Sequence, residues 1–386
     1  MSNTATFDFD RIVDRRGTAA SKWDKYGDRD VIPMWVADMD FVCAPAILNA
    51  LRERMDHGIF GYSNPPAGLV DATLAHLENE YDWKIEPEWI VWLPGLVVGL
   101  NAVCRAFGRD GADVLTAVPI YPPFLSAPMN AARNVVQVPM IEAPEGWRWN
   151  MAALEEAAAP RSRLLLLCNP HNPVGRVFSR DELQAIADAC ARHDLVLCSD
   201  EIHNGLVLDR DKKHIPVATL GSDIADRTVT LMSASKTFNI PSLGCAYAIV
   251  SNPALRVKLK RAMAGIVHHV GLMGYLATEA AYRHGRDWQL ALLDYLRGNR
   301  DLVEREVSAI AGLRIWHAEA TYLSWIDARA LATADPAKFF EDAGVGLYDG
   351  ALFGTPGFLR LNFACPRVLL EKALERMARA ARTVQA

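Results

Sequence analysis

From about residue 46 the chain alternates two hydrophobic patterns. In the first, apolar residues recur every three or four positions. This predicts helices over 46–57, 69–81 and 179–193, and over 275–284 running on into 288–310. In the second, apolar residues form short unbroken runs, at 113–118, 163–168, 195–199, 228–232 and 246–250. The run at 163–168 reads R-L-L-L-L-C. A strand without polar alternation is buried on both faces, the condition of a parallel sheet covered by helices on each side. Ser179 and Glu182 have the spacing of a capping box and mark one helix start. Beyond residue 310 the rhythm changes to strand-like pieces at 322–326 and 358–363, then a last helix from Val368. Residues 1–45 are irregular, rich in Asp, Arg, Trp and Pro, and read as an extended arm. The expectation is an α/β fold. A large domain over 46–285 carries a mostly parallel central sheet flanked by helices. A smaller α+β domain covers 286–386, and the arm, 1–45, belongs in part to it.

Composition narrows the function classes. The 386 residues, 51% hydrophobic, are ample for a large core, and 23% charged residues give no argument for disorder. A net charge of −5 offers nothing to a phosphate polyanion, so nucleic acid is not an expected partner. No run of 18 apolar residues exists, and residues 1–10 are polar without the apolar segment of a secretion signal, so no membrane association is expected. The seven cysteines are scattered and odd in number, with no C-x-x-C pair, the usage of a reduced cytoplasmic protein. The histidines show no H-E-x-x-H spacing, and no metal site is expected.

In open α/β sheets, ligands bind at the carboxyl ends of strands. Three motifs stand there. Cys168-Asn169-Pro170-His171-Asn172-Pro173-Val174-Gly175 follows one apolar run and makes a rigid turn that can project Asn172. Ser199-Asp200-Glu201-Ile202-His203 follows the next. Two adjacent acids at the end of a buried strand are costly unless one has a cationic partner. Ser233-Ala234-Ser235-Lys236-Thr237-Phe238-Asn239 follows the third, and burial there makes a lysine lose its proton more readily. Each motif has a plain alternative: a turn, a helix cap, a surface lysine. Together they supply an amide donor, a carboxylate and an amine. Those are the groups that pyridoxal 5′-phosphate (PLP) needs at its ring oxygen, its ring nitrogen and its aldehyde.

In this order, Asn then Asp then Lys, the motifs resemble those of fold-type I PLP enzymes. The arm narrows the resemblance. It carries Arg15-Arg16-Gly17-Thr18, Lys22-Trp23-Asp24 and Trp35-Val36-Ala37-Asp38-Met39-Asp40-Phe41, followed by His57-Gly58-Ile59-Phe60-Gly61-Tyr62. With N-P-H-N-P-V-G, S-D-E-I-H, S-K-T-F-N-I-P and Arg360-Leu361-Asn362, the chain resembles the MalY/PatB-type cystathionine β-lyases, or C-S lyases, over roughly residues 7 to 370.

The resemblance implies roles. Lys236 is the Schiff-base lysine, Asp200 the partner of the pyridine nitrogen and Asn172 the donor to the ring oxygen. His203 stands where many aminotransferases carry a tyrosine, and Tyr121 stacks on the cofactor ring. Gly95, Leu96 and Val97, at a helix start, hold the phosphate through backbone amides. Ser233 and Ser235 add hydroxyl donors, and Tyr62 reaches the phosphate from the neighbouring subunit of a homodimer. Arg360 grips the α-carboxylate of a small amino-acid substrate, with Ala37 and Asn172 beside it. Two segments depart from the pattern: His268-His269, and Tyr348 to Phe353. Both are expected to border the substrate. The implied activity is β-elimination from cystathionine or a related S-substituted cysteine. An aminotransferase on the same fold is the alternative, and a regulatory binding protein retaining a PLP site is a second.

Overall fold

The protein, as a computed structural model, is described over residues 7–384; the first six residues of the expected arm lie outside the described residues. Its centre is a seven-stranded sheet. In spatial order the strands are Ile90–Leu93, Ala246–Ile249, Thr228–Met232, Val196–Asp200, Ser162–Cys168, Asp113–Val118 and Asn134–Pro139. The last five run parallel to one another. Ala246–Ile249 is antiparallel to both its neighbours. The sheet is mostly parallel, as the unbroken apolar runs require. Leu164 and Leu166 enter the core on one face, Leu165 and Leu167 the core on the other, and all four are fully buried. Each such side chain contributes about 2 kcal/mol by leaving water, so one strand anchors both helical layers.

The helix Arg180–Arg192 begins with the expected reciprocal cap. Ser179 Oγ accepts from the Glu182 amide at 3.2 Å, and the Glu182 carboxylate accepts from the Ser179 amide at 2.8 Å. The stretch expected to run from 275 to 310 is two helices, Leu272–His284 and Arg286–Ser308. Gly285 separates them, because a side chain there would strike the Phe238 ring and the Ala281 carbonyl. Two strands escape the apolar pattern. Ile90–Leu93 is short, and Asn134–Pro139 lies at the sheet edge with three exposed residues.

A second, antiparallel sheet follows the order Arg314–Ile315, Leu323–Asp327, Phe358–Asn362, Tyr348–Asp349. Beside it, Ile32–Pro33 of the arm pairs in parallel with Val345–Gly346. The arm is fastened by buried charges. Lys22, its side chain wholly enclosed, reaches Asp40 at 2.7 Å. Arg15 meets Asp38 and Asp40 at 2.7 Å each, and Trp23 Nε1 donates to Asp40 at 2.9 Å. These contacts hold segment 35–40 against the carboxyl ends of the central strands. Among the described residues no helix is long and apolar enough to cross a membrane.

Candidate active site

Sheet order makes the three motifs neighbours. The strands Ser162–Cys168, Val196–Asp200 and Thr228–Met232 lie side by side, with Cys168 opposite Asp200 and Asp200 opposite Leu231. Their carboxyl ends bring Asn172, Asp200 and Lys236 to one cavity of about 350 Å³. His203, Tyr121 and Ser235 line the same cavity, as do Ala37 and Arg360.

The charged groups there lack ordinary partners. Asp200 is buried and accepts one backbone hydrogen bond, from the Ile202 amide at 3.1 Å. Burial pushes its carboxyl up to about 7, with the neighbouring Glu201 adding to the rise. Such a group stays ionised when a cationic nitrogen faces it. Lys236 is driven the other way. Burial, with Arg360 nearby, brings its amine down to about 8, and its Nζ donates to the Ala37 carbonyl. His203 is buried with no hydrogen-bond partner for Nδ1 among the described residues, and burial holds its imidazole neutral. Its ring meets Tyr322 at 6.1 Å and 78°.

Arg360 lines the same cavity beside Asn172. Its guanidinium is 1% exposed and makes no ion pair with any described residue. Nη1 donates to Asn172 Oδ1 at 3.1 Å and Nη2 to the Trp35 carbonyl at 2.7 Å, while Nε has no partner. The rings of Tyr348 and Phe353 lie 4.8 and 4.9 Å from its charged carbon. Burial pulls its pKa down to about 10, so the cation persists at neutral pH without a counter-ion. A buried cation in that state is a receptor for a carboxylate.

The phosphate end is a helix start. Gly95 caps Leu96–Ala106, and Leu96, Val97 and Val98 bring the first turn to the cavity. Their side chains are apolar, so any anion there is held by amides and the helix dipole. Two expected residues stand apart. Ser233 does not line the cavity; its hydroxyl donates to the Cys245 carbonyl at 2.7 Å and accepts from the Ser235 amide at 3.0 Å, so its proton is already committed. Tyr62 is fully exposed and lies in a separate surface groove with Phe60, His268 and His269, away from this chain's cavity. Of the two departing segments, the structure therefore brings Tyr348 to the cavity and leaves His268-His269 in the groove with Tyr62.

Sequence reasoning missed Tyr322 and Asn362. Tyr322 donates to the Ala37 carbonyl at 2.9 Å, and Asn362 Nδ2 donates to the carbonyls of Val36 and Asp38. Asn362 was visible as part of R-L-N, whereas Tyr322 carries no local signal.

This combination of a mostly parallel sheet and an Asn, Asp, Lys triad at its carboxyl edge defines a class. The chain belongs to the family described as aminotransferase class I and II, matched over residues 29–377. Within that family it is 36% identical over 385 residues to cystathionine beta-lyase PatB of Bacillus subtilis (strain 168), covering 96% of this chain and 98% of that protein. The crystal structure of OvoB superposes with a TM-score of 0.95 at 46% identity, over 97% of this chain and 99% of that one. Cystalysin from Treponema denticola, whose structure contains a pyridoxal 5′-phosphate cofactor, gives a TM-score of 0.94 at 29% identity, over 98% and 100%.

Proposed function

We propose that this chain is a PLP-dependent carbon–sulfur β-lyase. It converts cystathionine or a related S-substituted cysteine, with water, to a thiol, pyruvate and ammonia. One observation carries the reading. An unpaired carboxylate, an amine lowered towards neutrality and a buried guanidinium without counter-ion share one cavity, and PLP with an amino acid satisfies all three. The orphaned His203 nitrogen and the bare helix start beside Gly95 fit the same ligand.

When bound, PLP supplies the electron sink for a carbanion at Cα. The chain's residues do the rest. Lys236 Nζ would hold the cofactor through its aldehyde and is the base that would take the proton from Cα. Asp200 keeps the ring nitrogen protonated. Asn172 gives its amide N–H to the ring oxygen, since its Oδ1 already accepts from Arg360. Tyr121 covers the ring, Ser235 and the amides of Gly95, Leu96 and Val97 hold the phosphate, and Arg360 orients the α-carboxylate beside Ala37. As the Cβ–S bond breaks, its electrons leave with sulfur as the thiolate. The three-carbon enamine left behind is hydrolysed to pyruvate and ammonia.

We further infer a homodimer with shared sites. The fully exposed Tyr62 and the exposed Ile59, Phe60 and Ile266 nearby support it. The seven free cysteines suit a cytoplasmic setting. The pairing of Ile32–Pro33 with Val345–Gly346 supports grouping the arm with the 286–386 domain, beside a large domain over 46–285. The deciding experiment incubates purified protein and PLP with cystathionine, cystine and S-alkyl cysteines, with no keto acid present. Pyruvate and thiol in equal amounts are expected. Turnover that appears with an added keto acid alone would make the chain an aminotransferase.

A further inference from the structure

Glu201, the second acid of S-D-E-I-H, has no part in the reaction above. Successive residues of an extended chain point to opposite sides, so Asp200 faces the cavity and Glu201 turns into the protein, where it is 0% exposed. There its Oε2 lies 2.8 Å from His214 Nε2. Its Oε1 accepts from the Ser199 hydroxyl at 2.8 Å and the Val217 amide at 3.1 Å. With its proton on Nε2, the imidazole is the third donor to this carboxyl group. The His214 side chain is just as enclosed, 1% exposed. The Tyr81 ring meets its imidazole at 5.5 Å and 83°, and the Tyr81 hydroxyl donates to Asn204 Oδ1 at 2.6 Å. His214 Nδ1 has no hydrogen-bond partner among the described residues. The other ionisable groups turned towards the pair are Tyr81 and Tyr247, both kept as neutral phenols by burial, and Asp200 and Lys236 across the strand. No described lysine or arginine pairs with Glu201; the imidazole of His214 is its neighbour.

Two buried carboxylates on adjacent residues repel each other, and an unbalanced one is costly. We propose that His214 is a positioning residue whose imidazolium balances Glu201, so that the strand end presents one net negative charge, Asp200, to the cofactor nitrogen. This rests on the PLP reading above. The pair acts at one remove, through the charge that Asp200 feels, and touches neither substrate nor cofactor.

The test compares holoenzymes of wild type, His214→Gln, Glu201→Gln and the double variant. The readout is the pH midpoint of the visible absorbance of PLP on Lys236, with the pH profile of kcat beside it. His214→Gln leaves a negative charge behind the ring and raises the midpoint by about one pH unit. Glu201→Gln removes the carboxylate, and the buried imidazole, left without its counter-ion, gives up its proton, so the midpoint stays close to wild type. The double variant also stays close to wild type, a restoration of the His214→Gln shift that a merely structural role does not produce. A His214→Gln protein without the rise, or a double variant that keeps it, overturns the proposal. If His214→Gln does not fold, His214→Asn is measured in its place by the same rule. A wild type without the chromophore sinks the cofactor reading and this inference together. A wild type that titrates while the variants stay put sinks this inference alone.

Discussion

Arg360 donates from Nη1 to Oδ1 of Asn172 across 3.1 Å, and that bond ties the strand Phe358–Asn362 to the loop after the strand Ser162–Cys168. On the reading proposed above, one contact thus sets both the substrate's carboxylate seat and the cofactor's ring-oxygen donor.

Arg360→Lys is expected to remove the planar fork that holds the α-carboxylate. A lost charge-assisted hydrogen bond costs about 1.5–3 kcal/mol, which is about 10- to 100-fold in kcat/KM. The loss should fall mainly on KM. Steady-state kinetics on an S-alkyl cysteine checks it, and an unchanged KM would place the carboxylate elsewhere.

Lys236 gives a pH signature. Only the neutral amine attacks an aldehyde, and burial brings this amine down to about 8. The rate at which cofactor-free protein captures PLP should climb with pH and level off above about 8, far below the range of a surface lysine. Rapid-mixing absorbance measures the rate. Borohydride followed by mass spectrometry should locate the label on Lys236, and a label on another lysine rejects the assignment.

Asp200→Asn should keep the fold and lose about 100-fold or more in kcat, because a neutral amide cannot hold the ring nitrogen protonated. Circular dichroism with pyruvate release checks both halves. Near-native turnover would reduce Asp200 to a turn residue accepting from the Ile202 amide.

Tyr62 reaches nothing in its own cavity. If it serves the partner's phosphate, Tyr62→Phe chains mixed with Lys236→Ala chains should regain activity, since one hybrid site then holds both native residues. Absence of rescue, with subunit exchange verified, removes the shared-site reading.

Lys22→Met should destabilise the arm. Asp40 is buried and has Lys22 and Arg15 as its cations. Removing one partner of a buried pair costs about 3–5 kcal/mol. Urea unfolding measures it. A loss below about 1 kcal/mol would mean that Arg15 and Trp23 suffice.

The legible part of this protein was the part governed by neighbours in sequence. The strands Asp113–Val118 and Thr228–Met232 have the bounds their apolar runs predict, because burial on both faces leaves no exposed residue to blur them. Asn172, Asp200 and Lys236 come to one cavity because each follows such a run. Asn134–Pro139 was missed because an edge strand has one covered side and a mixed pattern. Ser233 was placed at the phosphate by the resemblance alone; its acceptor, the Cys245 carbonyl, lies on another chain segment. That one of two adjacent acids needs a cationic partner was foreseen for Asp200 and the ring nitrogen, but the imidazole beside Glu201 was not. His214 sits 13 residues on, in a loop with no periodicity to read.

The parallel pairing of Ile32–Pro33 with Val345–Gly346 joins two segments far apart in the chain. Between them hang the carbonyls of Trp35 and Ala37, which receive Arg360, Lys236 and Tyr322. The central sheet, with all three motifs, can assemble while the chain is still growing, since its strands close over shorter separations. The substrate seat cannot. On the reading proposed above, the cofactor motifs therefore come together before Arg360 is in place to receive an amino acid.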